Sequence, residues 1–326
     1  MRALTYQPDQ DRFTLTERPV PTPGPGEVLV RVLACGLNPV DAKINLWHAQ
    51  APGMGAHWVP GLDVAGEIVG LGEGVDGWRL GDSVLYHGDM FKPSGGYAEF
   101  ALHSAATLIP MPKVTPEEAA ATPCAGWTAW RALVDRLQLA GKPSLLIAGG
   151  AGGVGSFAVQ IARDLGVGQV VATCSAANAD YVRDLGASEV IDYRQEDVQA
   201  RVMALTQGHG VAAALDAVGG DNDILCASVL AYEGQMVELV RTLRPESYPD
   251  AFMKGLGFHQ LSLGSGHRHG LAGQVDLVAA GLAFSERLEA GAIRVPRLTR
   301  VVLEEVGEAL MAMREQRTVG KLVMTH

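Results

Sequence analysis

One stretch constrains this chain more than any other: Ser144-Leu-Leu-Ile-Ala-Gly-Gly-Ala-Gly-Gly-Val-Gly155, continuing into Ser156-Phe-Ala-Val-Gln-Ile-Ala-Arg163. An apolar run passes into Gly150-x-Gly152-x-x-Gly155 and then into a helical segment, the order strand, glycine turn, helix. In such a turn the first glycine allows the tight bend. The second lets the backbone come close to a pyrophosphate, and the third lets helix pack on strand. The amides at the helix start then face the phosphate charge. With 40 glycines in the chain the motif alone is weak evidence, and its setting between strand and helix is what makes a dinucleotide site the reading.

The following strand bears on which dinucleotide. In NAD-binding folds an acid about 20 residues past the glycines grips the ribose hydroxyls. Here Gln169-Val-Val-Ala-Thr-Cys174 runs into Ser175-Ala-Ala-Asn178 with no carboxylate. An acid there would repel a 2′-phosphate, so its absence favours NADPH, with NADH as the alternative. The Ser175 hydroxyl, the Asn178 amide and Tyr193 are the candidate phosphate and ribose contacts. Arg183 is within reach but reads as a solvated helix residue.

At 326 residues the chain is long enough for two domains with sizeable cores. A hydrophobic share of 48%, a charged share of 19% and a net charge of −10 describe a soluble protein with no bias toward nucleic acid or anionic membrane. The N-terminus lacks the apolar stretch of a signal peptide, and no apolar run is long enough for a membrane span. Cys35, Cys124, Cys174 and Cys226 lie far apart, which fits free thiols in a reducing cytoplasm.

To about residue 121 the pattern is β-rich. Glu27–Ala34 alternates as a half-buried strand, and residues 64–72, 81–86 and 96–102 add more, at the spacing of a small irregular barrel. Gly66 reads as a bulge or a point of close packing. Thr115 caps a helix opening with Pro116-Glu-Glu, and 122–137 reads as a second helix. From Ser144 strands and helices alternate, with strands expected at 144–148, 169–173, 189–191, 212–215, 235–239 and 259–263. That alternation predicts a doubly wound parallel sheet. A helix over 303–316 and a strand over 321–325 close the chain, and this tail is expected to rejoin the first domain.

Taken together, these residues resemble the medium-chain dehydrogenase/reductase superfamily, and within it the zinc-independent quinone oxidoreductase branch. The matching segments are Ala34-Cys-Gly-Leu-Asn-Pro-Val-Asp41, Pro60-Gly-Leu-Asp-Val-Ala-Gly-Glu-Ile-Val-Gly70, Gly81-Asp-Ser-Val84 and Gly95-Gly-Tyr-Ala-Glu-Phe100. The glycine turn, Leu185-Gly-Ala187 with Asp192-Tyr193, and Asp216-Ala-Val-Gly219 complete them. The resemblance implies an α/β fold: a GroES-like β-barrel domain over 1–121, a Rossmann doubly wound parallel sheet over 122–288, and a C-terminal segment over 289–326 that rejoins the first. It places the active site in the cleft between domains. A homodimer is also implied, through strands near 258–264, where Phe258, Leu261 and Leu263 would form an apolar edge.

The zinc-type relatives carry ligands where this chain has Asn38 and Leu62. Leucine cannot ligate, an amide is a poor substitute for a thiolate, and Cys124, at the third ligand position, cannot hold zinc by itself. No metal is therefore expected. His48, His57, His87 and His103 show no metal spacing and read as loop or surface residues, His57 and His87 being the nearest to the cleft. His259, His267 and His269 read as a polar loop. Without zinc, reduction of an electron-poor quinone, enone or enal by NADPH is the accessible chemistry. It requires orientation and hydrogen bonds to a developing oxyanion.

By resemblance Asn38 would contact substrate or cofactor amide and Asp41 would hold the loop, though Asp41 reads equally as a helix cap. Trp47, Trp58 and Trp127 are candidates for a pocket wall or for core. No tyrosine stands between Asp41 and Pro60, which leaves the proton donor unassigned. The resemblance also assigns cofactor contacts to Thr128, Gly150, Gly152, Gly153, Val154, Gly155, Ser175, Asn178, Tyr193, Val218, Leu239, Val240 and Lys321, the last reading equally as a surface lysine. Ala217 would sit with Val218 at the nicotinamide edge. Arg241 and Arg244 read as a solvated loop or as a receptor for an anionic substrate. The reading is a cytoplasmic, zinc-free NADPH-dependent reductase of a small-molecule quinone or activated alkene. Its rivals are a zinc-type alcohol dehydrogenase and a non-catalytic NADPH-binding protein.

Overall fold

The computed structural model describes every residue except Pro52, Ala56, Gln316 and Arg317. Pro52 and Ala56 fall in the 46–60 loop, and Gln316 is the expected last residue of the C-terminal helix, whose described part is Val306–Met313. In chain order the strands are β1 (Arg2–Gln7), β2 (Arg12–Glu17), β3 (Glu27–Leu37), β4 (Asp63–Leu71), β5 (Ser83–His87), β6 (Phe100–Ser104) and β7 (Ile109–Pro110). There follow β8 (Ser144–Ala148), β9 (Gln169–Cys174), β10 (Glu189–Asp192), β11 (Val211–Asp216), β12 (Leu230–Glu238), β13 (Gly257–Gln260), β14 (Leu298–Val302) and β15 (Lys321–Thr325). The chain divides into two packed units: 1–127 with 263–291 and 295–326, and 128–262 with 292–294.

In the first unit β14-β15-β3-β4-β5-β7 form one sheet, with β6 added to β3 and the β1–β2 hairpin apart. Inward residues of β3 and β4 (Val28, Val30, Val32, Val64, Ile68) meet Leu303, Val306 and Leu310 of the tail in one core. Burying such side chains is the main favourable term, at about 1.5–3 kcal/mol each. Register then places the site. Leu322 of β15 stands opposite Leu37, Gly36 opposite Asp63, and Asp63 opposite His87. Four neighbouring strands therefore bring Lys321, Asn38, Asp63 and His87 to one rim of the sheet.

The helix Gly270–Glu289 belongs to this first unit rather than to the dinucleotide-binding part. Two glycines explain its seat. A Cβ on Gly281 would fall 2.8 Å from the Trp127 ring, and one on Gly126 would fall 2.5 Å from the Phe284 ring, so both close approaches require glycine. The expected continuous helix over 122–137 is broken into π-type turns at Pro123–Trp127 and Arg131–Arg136 around a short α segment. The first turn contains Pro123 and Gly126, both poor helix formers.

The second unit is a parallel six-stranded sheet in the order β10-β9-β8-β11-β12-β13. That is the doubly wound order, with its switch point between β8 and β11, where such sheets bind ligands beyond the strand ends. The last strand ends at Gln260, three residues earlier than the expected 263. Leu261 and Leu263 are buried in the protein's own interior. They do not form the expected apolar edge, of which only Phe258 stays partly accessible.

At the glycine turn the left-handed residue is Gly149 (φ 87°), not Gly150. Gly150 is required for packing, since its Cβ would stand 2.8 Å from that of Ala172. A Cβ on Gly155 would meet the Gly149 carbonyl oxygen at 2.1 Å. Gly155→Ala is therefore expected to destabilise the protein by about 1–3 kcal/mol, the usual range for overpacking, measured as a fall in the urea midpoint.

Candidate functional site

A single carboxylate organises the rim of the first unit. Asp63 is fully buried. Its Oδ2 accepts from Asn38 Nδ2 at 2.9 Å and from the Cys124 backbone N–H at 2.9 Å, and its Oδ1 accepts from His87 Nδ1 at 2.7 Å. An ionised carboxylate only accepts, so Nδ1 carries the proton and Nε2 is left for other partners. Lys321 Nζ donates to Asn38 Oδ1 at 2.5 Å and to the Leu37 carbonyl at 3.3 Å. The result is a chain from ammonium to amide to carboxylate to imidazole, every member of it nearly buried.

Asn38 caps the turn Pro39–Ala42, and Asp41 in turn accepts from the Asn38 backbone N–H at 3.2 Å, which orients the Asn38 amide. Both readings of Asp41 meet in this contact: it caps a helix and holds the loop. Burial first, and then the Asp63 charge, push the Asp41 carboxyl up to about 7. Cys124 is pushed well up by burial and by Asp63, so it stays a thiol.

His87 and His103 are not loop or surface residues; both are buried, and His103 stacks on Tyr86 at 3.9 Å while bonding Thr107 Oγ1 at 2.8 Å. Trp58 and Trp127 are core rather than pocket wall, whereas Trp47 is partly buried and donates to the Val40 carbonyl. Sequence reasoning missed the Asp63–His87 pair. Its signal was an acid opening one apolar strand and a histidine closing the next, which an antiparallel register sets face to face.

Asp63, His87 and Cys124 bring ligand-type atoms within 4.8 Å of one another, the one such group among the described residues. Zinc fits this set poorly. The His87 Nδ1 that would ligate is spent as a donor to Asp63, the Cys124 thiol would have to ionise, and the Lys321 ammonium stands two hydrogen bonds from Asp63. Leu62, at the position of a ligand in zinc-type relatives, has no donor atom.

In the second unit the helix Gly153–Asp164 opens with no side-chain cap, leaving the first-turn amides of Gly153 and Val154 for a ligand. A Cβ on Gly152 would meet nothing closer than 3.4 Å, so the approach is open. Thr173 Oγ1 accepts from the Gly149 N–H at 3.1 Å and steadies the turn. Ser175 and Asn178 come together, Asn178 Nδ2 donating to Ser175 Oγ at 3.2 Å. Pairing of Asp192 with Cys174 sets Tyr193 at the neighbouring strand end, with the Arg194 guanidinium 5.6 Å from its ring centre. Val218 and Val240 pack against Gly149 and Gly219 at the ends of β11 and β12, beside Leu239. Gly150 lies inside the turn, and Thr128 is buried in the same unit. These residues fit a dinucleotide. Lys321 instead sits in the first unit, buried at 3% exposure rather than on the surface. Arg244 is held by Asp221, Asp223 and the Gly220 carbonyl, so it is not a free anion receptor.

A pH dependence of stability follows from Asp41. Its folded value of about 7 lies above the unfolded value of about 3.9. The folded state thus holds the proton more tightly, and the stability from this group is lost as pH rises from about 4 through about 7. Asp41→Asn, which keeps an acceptor for the Asn38 N–H, is expected to flatten that decline in urea unfolding at pH 5 and pH 8.

Comparison with known proteins agrees with this geometry. Residues 24–113 match the alcohol dehydrogenase GroES-like domain and residues 153–266 the zinc-binding dehydrogenase family. A quinone oxidoreductase of Pseudomonas aeruginosa is 32% identical over 310 residues, 93% of this chain and 92% of that one. A chloroplast envelope quinone oxidoreductase homolog of Arabidopsis thaliana is 42% identical over 187 residues; that match spans 54% of this chain and 55% of the relative, about half of each. The crystal structure of a Pseudomonas syringae quinone oxidoreductase superposes with a TM-score of 0.87 at 26% identity, covering 100% of this chain and 99% of that one. The chain belongs to the medium-chain dehydrogenase/reductase family, on its quinone oxidoreductase branch.

Proposed function

We propose that this protein is a zinc-free, NADPH-dependent reductase of a quinone or an activated alkene. The observation that carries the reading is the hydrogen-bonded chain Lys321–Asn38–Asp63–His87. A zinc-type alcohol dehydrogenase needs three ligands and an open position here. This chain instead surrounds its one carboxylate with an amide, an imidazole and a backbone N–H and sets an ammonium behind the amide, which leaves no ligand set for a cation. A bound reduced nicotinamide supplies hydride, and an enone or quinone spreads the resulting charge onto its own oxygen.

Cofactor binding falls to the second unit. The amides of Gly153 and Val154 take the pyrophosphate, with Gly152 leaving room for it. Ser175, Asn178 and Tyr193 take the adenosine ribose. With no carboxylate at Ser175–Asn178, and with the Arg194 cation held on Tyr193, a 2′-phosphate is favoured. Orientation of the acceptor falls to the first unit, where Asp41 and Asp63 fix the Asn38 amide.

NADPH oxidation with an ortho-quinone and with a simple enone is expected to survive EDTA treatment. Activity that zinc alone restores would overturn the reading in favour of an alcohol dehydrogenase. Binding of NADPH without turnover on any acceptor would favour a non-catalytic binder. Arg194→Ala is expected to raise KM for NADPH about tenfold, the loss of one charge-assisted hydrogen bond, and to leave NADH unchanged.

A further inference from the structure

We propose that His87 is the proton donor of this reductase, delivering a proton from Nε2 to the acceptor oxygen after hydride transfer. The inference rests on the reductase reading above and assigns the step that reading leaves open. Three histidines meet in the first unit, and their surroundings separate them. His103 is held neutral by burial, with its Nε2 on Thr107. His267 is likewise lowered by burial, and its Nε2 is bonded to the His87 carbonyl at 2.8 Å. Among the described residues His87 is the one of the three hydrogen-bonded to a carboxylate, with Nδ1 on Asp63 at 2.7 Å, whereas His267 feels Asp89 only at longer range. That contact fixes the ring and its orientation, while Nε2 has no hydrogen-bond partner among the described residues. A Cβ built on Gly264 would lie 3.7 Å from Nε2 with nothing else within 4 Å of it, so there is open space between Gly264 and the ring nitrogen.

The other candidate donors serve less well. Cys124 is pushed well up by burial, and so are Tyr86 and Tyr97, which leaves each a weak acid. Tyr97 also gives its proton to the Gly36 carbonyl. Lys321 directs its ammonium at Asn38 and Leu37. The charged and titratable groups around His87 are thus Asp63 on β4, Asp41 on the 39–42 turn, Lys321 on β15 beyond Asn38, Cys124 on the 123–127 turn, His103 on β6 and His267 on the 263–268 turn.

The step balances simply for an enone. Hydride joins the β-carbon, the alkene π pair shifts toward the carbonyl, and the oxygen becomes an enolate. The Nε2–H bond of His87 then breaks and an O–H bond forms. The enol relaxes to the ketone through water, and neutral His87 recovers a proton from solvent. The alkene is reduced by two electrons and the nicotinamide is oxidised by two. A quinone takes the hydride to give the hydroquinone monoanion, which accepts one further proton unless the hydroquinone is acidic enough to leave as the anion.

The test compares two acceptors in wild type and His87→Gln. One is an unsaturated ketone, whose enolate must be protonated. The other is a chlorinated benzoquinone, whose reduced form is acidic enough to leave as an anion. In His87→Gln, kcat on the enone is expected to fall about a hundredfold, the size of a lost general acid. Turnover of the chlorinated quinone is expected to fall far less than that of the enone, and fluorescence quenching by NADPH, which reports on the second unit, is expected to be kept. Equal rates in variant and wild type on both acceptors, or an equal fall on both, would remove the assignment while leaving the reductase reading intact. No wild-type turnover on either acceptor would take both down. Should His87→Gln fail to fold, Gly264→Val decides in its place, covering Nε2 without touching the buried hydrogen bonds. The same selective loss on the enone is expected, and its absence would overturn the proposal.

Discussion

The structure of the first unit hangs on the burial of one negative charge. A carboxylate taken fully out of water is costly unless charge-assisted hydrogen bonds replace its hydration. Asp63 has three, each from a different segment: Asn38 at the end of β3, His87 at the end of β5 and the Cys124 amide in the π-type turn 123–127. Because one donor belongs to the backbone, the turn itself is tied to the site. Removing any one of these partners leaves the others to hold a charge they do not fully compensate, so the geometry is set as a unit rather than residue by residue.

The second unit depends on a different constraint, close approach of backbone to backbone. Gly155 lies so near the Gly149 carbonyl, and Gly150 so near Ala172, that the turn exists only with hydrogen in place of side chains. The same absence of side chains exposes the first-turn amides of the helix Gly153–Asp164. One local feature thus packs helix on strand and opens an anion site, which is why strand, glycine turn and helix are so informative together.

Much of this was legible in the chain. The strand at 144–148 and the parallel sheet followed from local patterns of apolar residues and glycines, because parallel strands buried on both faces read as continuous apolar runs. Asn38 and Asp41 were recognisable because they lie in a segment whose neighbours carry the family resemblance. Asp63 and His87 were not joined, because their meeting depends on the β4–β5 register, which no short segment records. That the helix Gly270–Glu289 packs with the first unit is unreadable from the chain for a similar reason. Its seat is decided by Gly126 and Gly281 meeting rings far away in sequence. Burial of a polar residue such as His103 cannot be read from the chain, since polarity alone does not reveal a partner like Tyr86 or Thr107.

The interleaving of the two units has a consequence for the order of folding. Residues 128–262 contain nearly all of the second unit, so its contacts close over short loops soon after they are made. The first unit is split. Its barrel strands are synthesised first, yet Lys321 and β15, which complete the sheet beside β3, come some 280 residues after Leu37, with |i−j| of 284 for their hydrogen bond. Until then the 34–37 part of β3, beyond the stretch paired with β6, presents a free edge and Asn38 lacks its ammonium partner. On the emerging chain the parallel sheet of the second unit is therefore complete while the rim that holds Asn38 and Asp63 still waits for Lys321.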